Sequence, residues 1–209
     1  MVVTCDQFIA RHAKAWEEAT RHPFLEGCRT GRIGYGQFAT WLVQDYLFVV
    51  EFTRFAARVL SAAPVAHFEV LLNGLTALRD ELSWFRTHAI ARSLRLDASR
   101  QESCTQYCRF MERLAQAPYP VQATAFWAIE AVYNHAWRLA SPMVTPYEEF
   151  ARRWGSAEFG AYVEQLRRQA DEALGAAPGA EQAQAETAFL EVLRLERLFW
   201  QMAFAVPGT

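Results

Sequence analysis

Four carboxylates sit inside stretches of sequence that are otherwise apolar and aromatic. Asp45 lies within residues 41–50, Glu81 within 78–85, Glu130 within 125–133 and Glu196 within 195–200. A carboxylate on an apolar helix face costs roughly several kcal/mol unless it is paired, hydrogen-bonded or protonated. Acids in such settings tend to have perturbed proton affinities and to mark sites. Aromatic walls with a few polar groups are also the usual form of a small-molecule pocket. A planar heterocycle with an amino group beside a ring nitrogen would suit Asp45, which can accept from the amine.

The four acids differ in their company. Asp45 shares its stripe with Trp41, Phe48 and Phe52, so its own helix offers it little help. Glu196 lies on the stripe Phe189, Leu193, Glu196, Trp200 and Ala203, three residues before Phe199. Arg194 and Arg197 are close by, so spacing alone leaves an ion pair and a site equally open there. Glu130 belongs with Phe126, Tyr133 and Trp137, and the Tyr133 hydroxyl could bond a carboxylate or a ligand. Glu81 shares a face with Leu78, Trp84, Phe85 and His88, which could be half of a carboxylate–imidazole metal set. No histidine follows His135, so the last helix offers no imidazole, and no metal or cofactor is expected. His22 is read as starting a turn, His12 and His67 as exposed, and His88 and His135 as core candidates.

These residues need helices to position them. Over residues 37–63, Phe38, Trp41, Asp45, Phe48, Phe52, Phe55 and Val59 recur at three- and four-residue steps, the stripe of a core-facing helix. A first helix is expected over 5–21, followed by a loop through His22-Pro23-Phe24 and Gly27, Gly31, Gly34 and Gly36. Further helices are expected from Pro64 to 91, over 100–117 and over 121–140. Thr145-Pro146-Tyr147-Glu148 reads as a capping box with proline at the first helical position. Ser156 should cap the next helix, to about 174, and the last should span 181–205. Nothing alternates with period two over a useful length. The expectation is one all-α domain, residues 1–209, a bundle of seven or eight helices whose site is built from facing side chains.

Composition removes several classes. At 209 residues and 52% hydrophobic content the chain can bury a full core. The formal charge of −2 gives no footprint for nucleic acid or an anionic membrane surface. No apolar run is long enough to span a bilayer, and the N-terminus does not read as a signal peptide, so a cytoplasmic protein is expected. Cys5, Cys28, Cys104 and Cys108 are too few and irregular for a disulfide framework, and they read as small buried hydrophobes. There is no Gly-rich phosphate loop, nucleophile elbow or recognisable Cys–His pair.

Taken in order and at these distances, the segments resemble the TenA/thiaminase II family over nearly the whole chain. The marks are His22-Pro23-Phe24, Gln44-Asp45-Tyr46 and Tyr107. To these add Tyr147-Glu148-Glu149-Phe150 with Ser156-Ala157-Glu158-Phe159, and the closing run from Glu196 to Ala203. The resemblance implies a heme-oxygenase-like helical bundle, a homodimer or homotetramer, and an aminopyrimidine ligand. It gives Asp45 the amino-pyrimidine edge and Glu196 a part in proton transfer, with Phe199 beside the ring. Phe48, Tyr107, Tyr133 and Trp154 line the binding site.

The chain departs from the better-known branch of that family, which has a nucleophilic cysteine four residues before the tyrosine matched by Tyr133. Ile129 occupies that position here. The run from Trp127 to Tyr133, with Glu81-Leu82-Ser83-Trp84-Phe85, is similar to a second branch with a glutamate and no cysteine. That branch is linked to thiamin salvage, hydrolysing an amino- or formylamino-methyl pyrimidine to the hydroxymethyl pyrimidine. Without a thiolate, covalent addition to the ring is lost as a route. General acid–base hydrolysis remains, with Glu196 and Glu130 as the expected pair, Asp45 as anchor and Glu81 as a further acid in the substrate site. The rivals are a pyrimidine-binding or regulatory protein that has lost catalysis, and a metal-dependent oxidase of the same bundle.

Overall fold

The computed structural model describes residues 3–207. Among them are ten α-helices, one 3-10 turn and no strand. The helices are α1 (Cys5–Arg11), α2 (Ala13–Thr20), α3 (Pro23–Thr30), α4 (Tyr35–Ala62) and α5 (Phe68–Ala91). They continue with α6 (Glu102–Leu114), α7 (Tyr119–Leu139), α8 (Glu148–Trp154), α9 (Ala157–Ala176) and α10 (Gly179–Phe204).

The all-helical class is as the periodicity predicts, but the count exceeds seven or eight for two local reasons. The expected first helix breaks at His12, whose backbone (φ −117°, ψ 32°) closes α1 and opens α2. The expected loop after residue 21 contains α3. There the His22 Nδ1 accepts from the Phe24 amide at 3.1 Å, Pro23 occupies the first turn, and Gly31 ends the helix at φ +71°. The capping box expected at Thr145 does not form, since α8 opens at Glu148 and Tyr147 makes no side-chain cap. Ser156 does cap α9, its Oγ accepting from the Phe159 amide at 3.1 Å. Residues 65–67 form the 3-10 turn before α5, and there His67, expected at the surface, is buried at 3% exposure.

The chain divides into two compact units, Gly34–Ala117 with Met202 onward, and residues up to Ile33 with Pro118–Gln201. In the Gly34–Ala117 unit α4 is the central helix, packed on α5 and α6. Every member of its predicted stripe, from Phe38 to Val59, is buried. In the other unit α7 is central, packed on α2, α8 and α9. Its residues from Val121 to Val132 are buried without interruption, as expected of a helix surrounded on all sides. Gly155, between α8 and α9, is a close approach. A Cβ there would lie 2.7 Å from the Ala151 carbonyl oxygen and 3.0 Å from the Arg138 amide nitrogen. Its absence lets the corner pass against the end of α7 and seats Trp154 on Trp137, with ring centroids 5.4 Å apart.

No helix of the described residues is long and apolar enough to cross a membrane.

Candidate active site

The predicted site residues form two groups. On α4, Asp45 is buried at 4% exposure and Phe48 at 8%. One turn separates them, and Phe48 meets Tyr107 of α6 with ring centroids 4.7 Å apart and stacks on Phe52 at 5.7 Å. The result is an aromatic wall with a single carboxylate beside it. Cys104 belongs to the same neighbourhood. Its Sγ donates to the Gln44 carbonyl at 3.6 Å. Its pKa is pushed well above the ordinary thiol value, first by the hydrogen bond with Cys108, then by burial, with a smaller contribution from Asp45. Cys104 is therefore a protonated thiol, poorly suited to act as a nucleophile.

Glu81 differs from the expectation. It is half-buried rather than part of a wholly apolar face. It lies one turn before Phe85, whose ring meets that of Tyr46, the neighbour of Asp45, at 6.3 Å. His88, on the same helix, lies against Trp84 at 3.9 Å and takes a contact from Arg92 Nη1 at 2.9 Å on its Nδ1. An arginine there works against use of His88 with Glu81 as a cation-binding pair. Among the described residues no group of three or more His, Cys, Asp and Glu side chains is arranged to hold a metal.

The second group lies on α7, α8 and α10. Glu130 is 8% and Glu196 4% exposed, with Trp154 and Phe199 also buried and Tyr133 half-buried. Tyr133 stacks on Trp200 at 5.8 Å and 6°, and both meet Trp137, while Trp154 meets Tyr133 edge-on at 5.3 Å. The Trp200 indole nitrogen donates to the Ala19 carbonyl at 3.1 Å, which locks that ring.

A second stack, Trp127 on Phe189 at 5.9 Å and 12°, fixes how α7 and α10 meet. Residue 127 pairs with 189 and residue 133 with 200. With 3.6 residues per turn, Glu130 projects about 60° of arc from each of Trp127 and Tyr133. Glu196 projects within about 40° of both Phe189 and Trp200. Along its own helix each acid thus lies between the residues of the two ring stacks. Arg194, one of the two arginines that sequence placed beside Glu196, is taken by Glu191 at 2.7 Å.

Two of these features were not assigned from sequence. Gln44 was noted only as a family mark, and the ring stacks between α7 and α10 join residues over sixty apart. A cavity of about 670 Å³ also opens beside α8 and the start of α9, lined by residues including Pro142, Met143, Arg152 and Ser156. It includes none of the predicted site residues.

A helical bundle with buried acids among aromatic rings corresponds to the heme-oxygenase-like all-helical fold. A solved TenA homologue from Pyrococcus furiosus superposes with a TM-score of 0.91 at 26% identity, over 95% of this chain and 98% of that one. Residues 9–205 match the family described as TENA/THI-4/PQQC, and the chain belongs to that family. It is 38% identical to a probable bifunctional TENA-E protein of Glycine max, over 95% of this chain and 92% of that protein. It is 27% identical to an aminopyrimidine aminohydrolase of Halalkalibacterium halodurans, over 90% of each.

Proposed function

We propose that this protein is an aminopyrimidine hydrolase of thiamin-precursor salvage. In this reading it converts an amino- or formylamino-methyl pyrimidine to the hydroxymethyl pyrimidine without a nucleophilic cysteine. Asp45 accepts from the exocyclic amine, with Phe48 and Tyr107 against the ring. Glu81, Tyr133, Trp154 and Phe199 complete the substrate contacts.

Glu196 and Glu130 divide the proton work. One carboxylate takes a proton from water as its oxygen bonds to the methylene carbon. The other, protonated, gives its proton to the departing nitrogen, which leaves with the C–N electron pair. For the aminomethyl substrate the products are the alcohol and ammonia. A formylamino substrate needs one hydrolysis more, releasing formate. Acid–base assistance of this kind contributes roughly 10²–10⁴-fold.

The observation that carries the reading is that Glu130 and Glu196 are both buried, each lying along its helix between the residues of the two ring stacks that join α7 and α10. The Ile129 side chain at the branch's cysteine position adds support. The named activity of the Halalkalibacterium relative points the same way.

The test is to incubate purified protein with an aminomethyl aminopyrimidine and measure ammonia and the hydroxymethyl product. Equal yields of the two are expected. Saturable binding of the product without any ammonia release would instead make the protein a pyrimidine binder.

A further inference from the structure

Gln44 stands one residue before Asp45 and is itself buried at 3% exposure. Its side-chain amide is used at both ends. Nε2 donates to the Ser99 carbonyl at 3.1 Å, and Oε1 accepts from the Gln101 amide at 2.8 Å. Its backbone carbonyl takes the Cys104 thiol. Gln101 is the residue from which α6 starts, and its carbonyl receives the Thr105 amide at 2.9 Å. One side chain of α4 therefore grips the segment that launches α6.

A second grip lies two turns further along the same face. Glu51, buried at 8% exposure, accepts from Arg100 Nη2 at 2.5 Å and also from Arg54. Residues 99, 100 and 101 are thus held to α4 by consecutive bonds from positions seven apart, the spacing that repeats on one helix face. Tyr107 follows 6 residues after Gln101, on the helix so placed, and its ring meets Phe48.

From this geometry we infer that Gln44 is a positioning residue for pyrimidine binding. It sets how α6 lies on α4, and so how Tyr107 meets Phe48 in the wall that, beside Asp45, is offered to a flat ring. The inference rests on the aminopyrimidine reading for its ligand, but the latch is a property of the fold. Gln44 touches no reacting atom in this scheme, so its loss should weaken binding and spare the chemical step. A displaced Tyr107 would break the continuous aromatic surface on which a flat ring rests, which makes the effect specific to affinity.

The experiment compares Gln44→Ala with Gln182→Ala, a control whose side chain also makes two hydrogen bonds, to the Leu174 and Ala177 carbonyls. Affinity for the hydroxymethyl aminopyrimidine, KM, kcat and Tm are measured for each, with hydrogen exchange over residues 99–107. Gln44→Ala should raise Kd and KM about tenfold, leave kcat within about threefold of wild type, and speed exchange in 99–107. Gln182→Ala should lower Tm and leave Kd unchanged. If Gln44→Ala does not fold, Gln44→Glu takes its place. Protonation of that glutamate at low pH restores a donor toward Ser99, so its Kd should fall toward wild type as pH is lowered.

A Gln44 variant with unchanged Kd and a lowered Tm, or with kcat reduced alongside affinity, would overturn the assignment. If the wild type binds no pyrimidine, the functional reading fails separately. Exchange over 99–107 then still decides the latch, because unchanged protection in Gln44→Ala would contradict it.

Discussion

The wall on α4 and α6 and the acid pair on α7 and α10 are both buried and aromatic, yet they are built on opposite plans. On α4 Asp45 stands beside a wall of Phe48, Phe52 and Tyr107. Glu51, the other buried acid of that helix, is taken by Arg100 and Arg54, and bonds accepted by Gln44 and Glu51 hold the segment that leads into α6. On α7 and α10 two buried carboxylates lie along their helices between the residues of two ring stacks, among many aromatic contacts. One acid among flat surfaces suits recognition, because a lone acceptor gives direction to a ring that the walls merely hold. Two acids in one apolar contact suit proton transfer, because a shared low-dielectric setting separates their proton affinities. On the proposed roles, burying a carboxylate does not by itself make a catalyst; what matters is whether a second acid shares its surroundings.

The largest expected effects come from breaking the acid pair. Glu196→Gln and Glu130→Gln should each lower kcat by roughly 10²–10⁴-fold in ammonia-release assays, with product affinity little changed. Equal losses in the single and double variants would show that the two acids act as one unit. Next comes the anchor. Asp45→Asn removes a charge-assisted acceptor, about 1.5–3 kcal/mol, and should weaken product binding about 10- to 100-fold by calorimetry.

A structural change ranks third. Gly155→Ala drives a Cβ against the Ala151 carbonyl and the Arg138 backbone, and neither can move independently. Overpacking of that kind costs about 1–3 kcal/mol, a fall in Tm of about 2–10 °C. The variant should disturb the Trp154 seat on Trp137 and leave the Asp45 wall intact, so stability should suffer more than affinity.

The smallest effect is a pH dependence. Burial lowers the His22 imidazole below its ordinary value, opposed by its bond to Gln201 and reinforced by Arg197. Between that lowered value and the unfolded value near 6.5, the unfolded chain binds more protons. Stability therefore rises with pH through that window and is lost as pH falls below about 6.5. His135 is lowered in the same direction by burial, Arg138 and Arg21. Replacing His22 with Asn keeps a capping atom and removes the titration, so the slope of Tm between pH 5 and 7 should flatten.

Much of this arrangement was legible in the sequence because helical periodicity is a local signal. The α4 stripe from Phe38 to Val59 is buried as its spacing predicts, and so are Asp45, Glu130 and Glu196. Glu81 was misjudged because its aromatic neighbours in sequence do not decide how far α5 is covered. The break at His12 and the helix α3 were missed for a different reason. Residues 5–21 carry no breaker, and glycines in 22–36 read as loop although Gly27 lies inside α3. The Gln44 latch joins residues more than fifty apart, and no window along the chain contains both ends of it. Likewise, the ring contacts that join α7 to α10 link residues more than sixty apart, beyond any local window.

The division of labour between anchor and acids is tested most directly by measuring product Kd and ammonia-release kcat on the same preparations of Asp45→Asn and Glu196→Gln. The account predicts that the two variants separate. Asp45→Asn should move mainly Kd, and Glu196→Gln mainly kcat, with each leaving the other parameter within about threefold. If both substitutions shift the same parameter by similar factors, or if Glu196→Gln retains wild-type turnover, the assignment of recognition to one carboxylate and proton transfer to the others is contradicted.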